Sequence, residues 1–284
     1  MIKKILLANS GTGNTEEMLK YLLDFPSLKS AEITMLHVIS SRVKEEEIAA
    51  KTEQGQQLLA QAVETLKLDS TQVNTLLKQG EPKDLVLKVA AEIDADLIIM
   101  GSRALKKLQA ILENSVSQYV FQLTDRPMLL VKDDLYVKKI KRVMIALDKS
   151  NASKYALDVA LFLLRGMKNV QLVLARVNPD LNPAILPLSA KDIEENPVLA
   201  PAINQVKRAG LDYRAIVTGG RPAKQICALA QENNVDLLIL GSPDRRPSIA
   251  KGLPDLERLL GSSLSDYVRV NADCPVLLAR RTED

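Results

Sequence analysis

The strongest constraint on the fold is that the chain carries one pattern twice. Residues 76–102, LLKQGEPKDLVLKVAAEIDADLIIMGS, align without gaps on residues 216–242, IVTGGRPAKQICALAQENNVDLLILGS, with nine identical positions. These are the pairs Gly80/Gly220, Pro82/Pro222, Ala90/Ala230, Glu92/Glu232, Asp96/Asp236, Leu97/Leu237, Ile99/Ile239, Gly101/Gly241 and Ser102/Ser242. The flanks agree as well, KKILLA at 3–8 with KRVMIA at 141–146, and RPMLLV at 126–131 with CPVLLA at 274–279. Each copy runs for about 140 residues, far above the roughly 20–50 of a solenoid repeat, so the repeats are whole domains. The charged stretch DDLYVKKIKR at 133–142 separates them, which places one domain at 1–135 and the other at 139–284.

Inside each copy, short apolar runs alternate with longer amphipathic stretches. The first copy offers strands at 2–8, 32–39, 72–78, 96–100 and 127–131, with helices near 14–24, 43–67, 82–93 and 111–123. The second offers strands at 142–147, 171–177, 212–218, 236–240 and 275–279. The runs lack polar alternation, as strands covered on both faces do. Strand–helix alternation of this kind gives an α/β fold with a parallel sheet and right-handed crossovers. Pro82 and Pro222 each follow a glycine closely and suit the first turn of a helix. Residues 179–201, PDLNPAILPLSAKDIEENPVLAP, break the repeat with five of the chain's 13 prolines. They read as a long surface loop before a shortened helix, or as a lid or interface arm.

Scarce residue types exclude several chemistries. His37 is the only histidine, so no site on one chain can draw on two imidazoles. Cys227 and Cys274 have no metal-ligand spacing and read as reduced, intracellular thiols. The absence of tryptophan and an aromatic content of 3% disfavour stacking on single-stranded nucleic acid. A net charge of +3 gives no concentrated basic footprint for nucleic acid. No apolar run approaches the roughly 18–20 residues of a membrane span, and MIKKILLANS is too short in its apolar part for a signal peptide. The expectation is a soluble, cytoplasmic protein.

In an open parallel sheet, ligands bind beyond the carboxyl ends of strands where the strand order reverses. In the second copy these ends are ALDKSNAS at 146–153 and ILGSPDRR at 239–246, with LLGSSLSDYV at 259–268 opening the last helix. Asp148 can accept hydrogen bonds from ribose hydroxyls. Gly241 admits close backbone approach, and Gly261, Ser262, Ser263 and Ser265 lie at a helix N-terminus, where unpaired N–H groups suit phosphate. Arg245, Arg246, Lys251 and Arg258 add positive charge nearby. The same residues fit a plainer role, in which Asp148, Ser150 and the serines cap helices and Gly241 makes a turn.

The Gly-Ser after the fourth strand, the helix start Gly-Ser-x-x-Ser-x-Tyr-Val and the closing Cys-Pro-Val-Leu-Leu resemble the universal stress protein family, twice over and along nearly the whole chain. The resemblance implies two tandem five-stranded, doubly wound, Rossmann-like domains that pair as a pseudo-dimer through their last strands, with a homodimer and a protein partner left open. It implies a stress-response or signalling role with ATP or a related adenine nucleotide as ligand, with or without Mg2+. ATP-binding members carry Gly-x-x-Gly, nine residues, then Gly-Ser/Thr, and an Asp after the first strand. In the first copy Ala104 and Asn114 replace the second and third glycines and Ser10 stands at the Asp position, so that copy reads as impaired. The second keeps Asp148, Gly241, Gly261 and Ser262, but Asp244 replaces the second glycine and the loop to Gly261 is seven residues longer. Gly252 is a candidate stand-in, and aligning Tyr267 with Tyr119 puts Ser262 rather than Gly261 at the third glycine. Backbone at the end of the second strand, Val38 or Val177, would meet adenine, which leaves His37 on that strand and packed in the core. The expected ligand site is therefore Asp148, Val177, Gly241, Gly261, Ser262 and Ser263, in the second copy.

Three rival readings remain. The segment NSGTGNTEEM at 9–18 resembles the phosphate loop of flavodoxins over Ser10–Thr15. It would bind FMN or give the first copy an anion site of its own, although aromatic partners for a flavin are scarce. An enzyme is the weaker reading. There is no Gly-x4-Gly-Lys-Ser/Thr, the third glycine of a dinucleotide fingerprint is missing after Gly13, and no general base suggests itself, although slow ATP hydrolysis stays open. A ligand-free interaction scaffold of the same fold is the main alternative.

Overall fold

The computed structural model describes residues 2–11, 13–67, 71–102, 115–181, 188–242 and 263–281. The chain divides between Tyr136 and Val137 into two units. In the first, β1 (Lys4–Ala8), α1 (Thr15–Leu23), β2 (Glu32–Ser40), α2 (Glu45–Leu66), β3 (Val73–Gly80), α3 (Pro82–Glu92), β4 (Leu97–Ser102), α4 (Val116–Leu123) and β5 (Met128–Lys132) follow in order. Its strands lie in the order β3-β2-β1-β4-β5, all parallel. The second unit contains β6 (Arg142–Ala146), α5 (Asn151–Leu164), β7 (Gln171–Asn178), α6 (Ala190–Glu194), α7 (Leu199–Arg208), β8 (Asp212–Gly219), α8 (Pro222–Glu232), β9 (Leu237–Gly241), α9 (Leu264–Asn271) and β10 (Val276–Ala279). Its order, β8-β7-β6-β9-β10, is again parallel throughout. Even the register repeats, with Ile5 opposite Leu97 and Val143 opposite Leu237.

The central strands explain why the apolar runs are unbroken. Ile5, Leu6 and Leu7 of β1, and Val143, Met144 and Ile145 of β6, are all 0% exposed, so successive side chains on both sheet faces are buried. Each such side chain contributes about 1.5–3 kcal/mol of transfer free energy.

The identical residues of the repeat have structural work to do at the strand ends. Gly80 and Gly220 hold φ of +153° and +102°, and Pro82 and Pro222 begin the helices that follow. A β-carbon at Gly80 would lie 3.0 Å from Leu85 Cδ1. The glycine thus turns the chain sharply out of the strand, and the proline fixes the first helical φ. Asp96 Oδ2 accepts from the backbone N–H groups of Lys3 and Lys4, at 2.7 and 2.9 Å. Asp236 Oδ2 does the same for Lys141 and Arg142, at 2.8 and 2.9 Å. In each unit one carboxylate therefore holds the entry to the first strand against the start of the fourth, using charge-assisted bonds.

The two units differ where their sequences differ. The helix expected at 111–123 is seen from Val116, and residues 111–114 lie outside the described residues. Within 179–201 the chain forms α6 and the start of α7, where a loop before one helix was the expectation. Ser189 and Asp192 make a reciprocal capping box at the start of α6, which explains a helix of only five residues. Glu194 accepts from Lys207 Nζ at 3.2 Å and from the Tyr213 hydroxyl at 3.3 Å, so the described part of this segment is tied to α7 and β8.

Candidate functional site

In each unit the strand order reverses between the first and fourth strands, the place where a crevice opens at the carboxyl ends. In the second unit that crevice is a cavity of about 410 Å³. Asp148 at the end of β6, Val177 of β7, Gly241 of β9 and Leu264 at the start of α9 all line it. Asp148, Val177 and Gly241 thus meet in one place. Ser263 sits one residue before α9, while Gly261 and Ser262, along with Asp244, Arg245, Arg246, Lys251, Gly252 and Arg258, lie outside the described residues.

The local hydrogen bonds show how these residues are held. Asp148 is exposed, and its Oδ1 accepts from Ser150 N at 2.8 Å and Ser150 Oγ at 2.5 Å. Ser150 Oγ in turn accepts from Ser153 N at 3.1 Å and caps α5. Asp148 Oδ2 has no hydrogen-bond partner among the described residues, and Asp148 lines the crevice. Ser263 is engaged differently: its hydroxyl donates to Asp266 Oδ2 at 2.6 Å and accepts from Asp266 N at 3.1 Å, which makes it the cap of α9. Val177 is buried at 5% exposure, with its strand paired to β8 through Thr218.

Gly241 serves the fold more directly than the sequence suggests. A β-carbon there would lie 2.5 Å from both the carbonyl carbon and oxygen of Ala152 and 2.7 Å from Ser153 N. The missing side chain lets the first turn of α5 approach β9, and that approach sets the crevice width.

Arg176 is the residue that the sequence reading missed. It lines the same cavity from β7, half-buried, and donates from Nη1 to the Leu147 carbonyl at 3.5 Å. No carboxylate pairs with it among the described residues, so Arg176 and Lys149 give the crevice two cations against the one anion of Asp148. His37 occupies the matching place in the first unit, with Nδ1 at 2.8 Å from the Asn9 carbonyl. Aligning LHV at 36–38 with ARV at 175–177 would have exposed the pair, because both copies then carry a basic side chain before the valine.

The first unit has its own cavity of about 260 Å³, lined by Asn9, Ser10, His37, Met100, Gly101, Ser115 and Asp133 among others. His37 is on β2 as expected, yet it is half-buried on this wall instead of sealed in the core. Gly55 in the middle of α2 makes room for it, since a β-carbon there would lie 3.0 Å from His37 Cδ2. Ala104 and Asn114 lie outside the described residues.

The glycine-rich loop of the first unit directs its donors at protein acceptors. Gly11 N donates to Asn9 Oδ1 at 2.8 Å, Asn14 Nδ2 to the Leu135 carbonyl at 2.6 Å, and Thr15 Oγ1 to Glu16 Oε2 at 3.1 Å. Gly11 and Gly13 adopt φ of +77° and +90° to reach this arrangement. A phosphate there would compete with these three internal bonds and with the Glu16 carboxylate, which weighs against flavin binding at Ser10–Thr15, while Thr12 lies outside the described residues. No group of metal-ligating side chains occurs among the described residues, and no described helix is long and apolar enough to cross a membrane.

A duplicated, doubly wound α/β domain with a crevice at each switch point defines the class: a tandem protein of the doubly wound α/β type. The model of the universal stress protein family matches residues 1–132 and again 139–280. The chain belongs to that family. A universal stress protein of Methanocaldococcus jannaschii is 29% identical over 155 residues, covering 46% of this chain and 96% of its own length. One from Bacillus subtilis is 28% identical over 148 residues, covering 46% of this chain and all of its own. Each of these relatives is thus the size of one unit. Among solved structures, a universal stress protein from Archaeoglobus fulgidus superimposes with a TM-score of 0.74 at 22% identity, covering 98% of this chain and 96% of that one.

Proposed function

We propose that this protein is a stress-response module that binds ATP or a related adenine nucleotide in its second unit, as a regulatory ligand. The observation that carries the reading is the convergence of Asp148, Val177 and Gly241, from three different strands, on one crevice at the β6/β9 switch point. Asp148 Oδ2 would accept from ribose hydroxyls and the Val177 backbone would meet the base. Gly241 and the stretch Gly261, Ser262, Ser263 would flank the phosphates. With its hydroxyl spent on the helix cap, Ser263 would offer only its backbone N–H. Arg176 and Lys149 favour an anionic ligand by simple Coulomb attraction. The role so read is binding, with slow ATP hydrolysis left open and occupancy biasing residues 242–260 and 179–201 towards or away from a protein partner. Mg2+ would accompany a triphosphate as its counter-ion.

A scaffold that binds no nucleotide is the second reading, favoured by the internal engagement of Ser263 and of Asp148 Oδ1. Point variants separate the two. Asp148→Ala removes a charged acceptor and should weaken Mg-ATP binding roughly 10–100-fold in a calorimetric titration. Ser10→Ala, at the matching place in the first unit, should leave the affinity unchanged. Equal effects of the two would remove the asymmetry on which the assignment rests.

A further inference from the structure

We infer that the cavity of the first unit is a second ligand site, built for a small organic monoanion with a carboxylate head and a hydrocarbon body. Asn9 lines it at 3% exposure, and its Nδ2 has no hydrogen-bond partner among the described residues. The amide cannot simply be turned over, because its Oδ1 already accepts from Gly11 N at 2.8 Å. A buried donor left open in this way costs stability unless something accepts from it. The same cavity receives the N-terminus of α4, where Ser115 makes no side-chain cap and instead bonds Ser117 Oγ at 3.0 Å. The N–H groups of Val116 and Ser117, which open that helix and have no backbone partner among the described residues, therefore also call for an acceptor. Two independent donor sets, one side chain and one helix end, face one space.

The second unit lacks both features. Leu147 stands where Asn9 does, and Ser263 caps α9. The remaining wall decides the ligand's other properties. Val86 and Met100 supply apolar surface, and Asp133, which takes part in an interaction of its own, adds a negative charge that disfavours polyanions. At about 260 Å³ the space is smaller than the roughly 300–1,000 Å³ of ordinary ligand pockets, which suits a ring or short chain and not a nucleoside triphosphate.

Benzoate is a suitable probe and the Met100 methyl a suitable reporter. With methyl-13C-methionine in the full chain, benzoate should shift the Met100 resonance saturably. Asn9→Asp keeps the acceptor for Gly11 N and abolishes the donor, so it should weaken binding by at least roughly tenfold. Val86→Phe fills the cavity without touching Asn9 and should eliminate the shift, which keeps the test decisive if Asn9→Asp does not fold. Absence of a Met100 shift in the wild-type chain, or equal affinity in Asn9→Asp, would overturn the inference. So would displacement of benzoate by inorganic phosphate or by ATP, since the site would then read phosphate and not a carboxylate on an apolar body. None of these outcomes depends on nucleotide binding in the second unit.

Discussion

Gly241→Ala should destabilise the second unit by about 3 kcal/mol or more, although it adds a single methyl group. The β-carbon would sit 2.5 Å from backbone atoms of Ala152 and 2.7 Å from Ser153 N, and backbone cannot swing aside as a flexible side chain can. Relief requires α5 to slide off β9, at the upper end of the usual cost of overpacking or beyond it. The same slide would displace Ser150, which caps α5 and bonds Asp148, so crevice geometry and stability should fail together. Urea unfolding followed by circular dichroism reads the stability change. A loss below about 1 kcal/mol would mean that α5 is free to move and that the crevice is not set by this contact.

The second large effect lies in α9. Arg269 Nε donates to Asp266 Oδ1 at 3.0 Å, and the two side chains are only 4% and 0% exposed. A buried pair of this kind adds little net stability over an apolar pair, but removing one partner strands the other charge. Arg269→Met should therefore cost about 3–5 kcal/mol. The double variant Asp266→Asn with Arg269→Met removes both charges, keeps an acceptor for the Ser263 hydroxyl, and should recover most of that loss. If the double variant is as unstable as the single one, the cost lies in the packing of Arg269 or in its further interaction, and not in the stranded carboxylate of Asp266.

How far the sequence can be read depends on whether a signal is spread along a segment or held in one atom. The central strands were legible because parallel strands buried on both faces write their burial as uninterrupted apolar runs, as in KKILLA and KRVMIA, whereas the edge strands β3 and β8 are partly exposed and mix polar with apolar residues. Gly80–Pro82 and Gly220–Pro222 were legible because a positive φ followed by a fixed φ needs those residue types. The repeat flagged Asp96 and Asp236 without disclosing their purpose, since bonds to backbone N–H groups about 90 residues away depend on strand order. Gly241 was flagged in the same way, but whether a helix or a ligand fills its missing side chain is decided by the approach of α5. Asn9 was invisible as a site residue. Its significance lies in one unpaired amide, and pairing is a property of everything around it. The proline-rich segment misled because prolines argue against a helix, while the capping box at Ser189 and Asp192 argues for one between them.

The asymmetry between the two units is the central claim, and stoichiometry tests it most directly. Calorimetric titration of nucleotide-stripped protein with Mg-ATP should give one site per chain. Two sites would show that Ser10, Ala104 and Asn114 are tolerated in the first unit, and the absence of any binding heat would make the protein a scaffold whose crevices serve something other than adenine nucleotides.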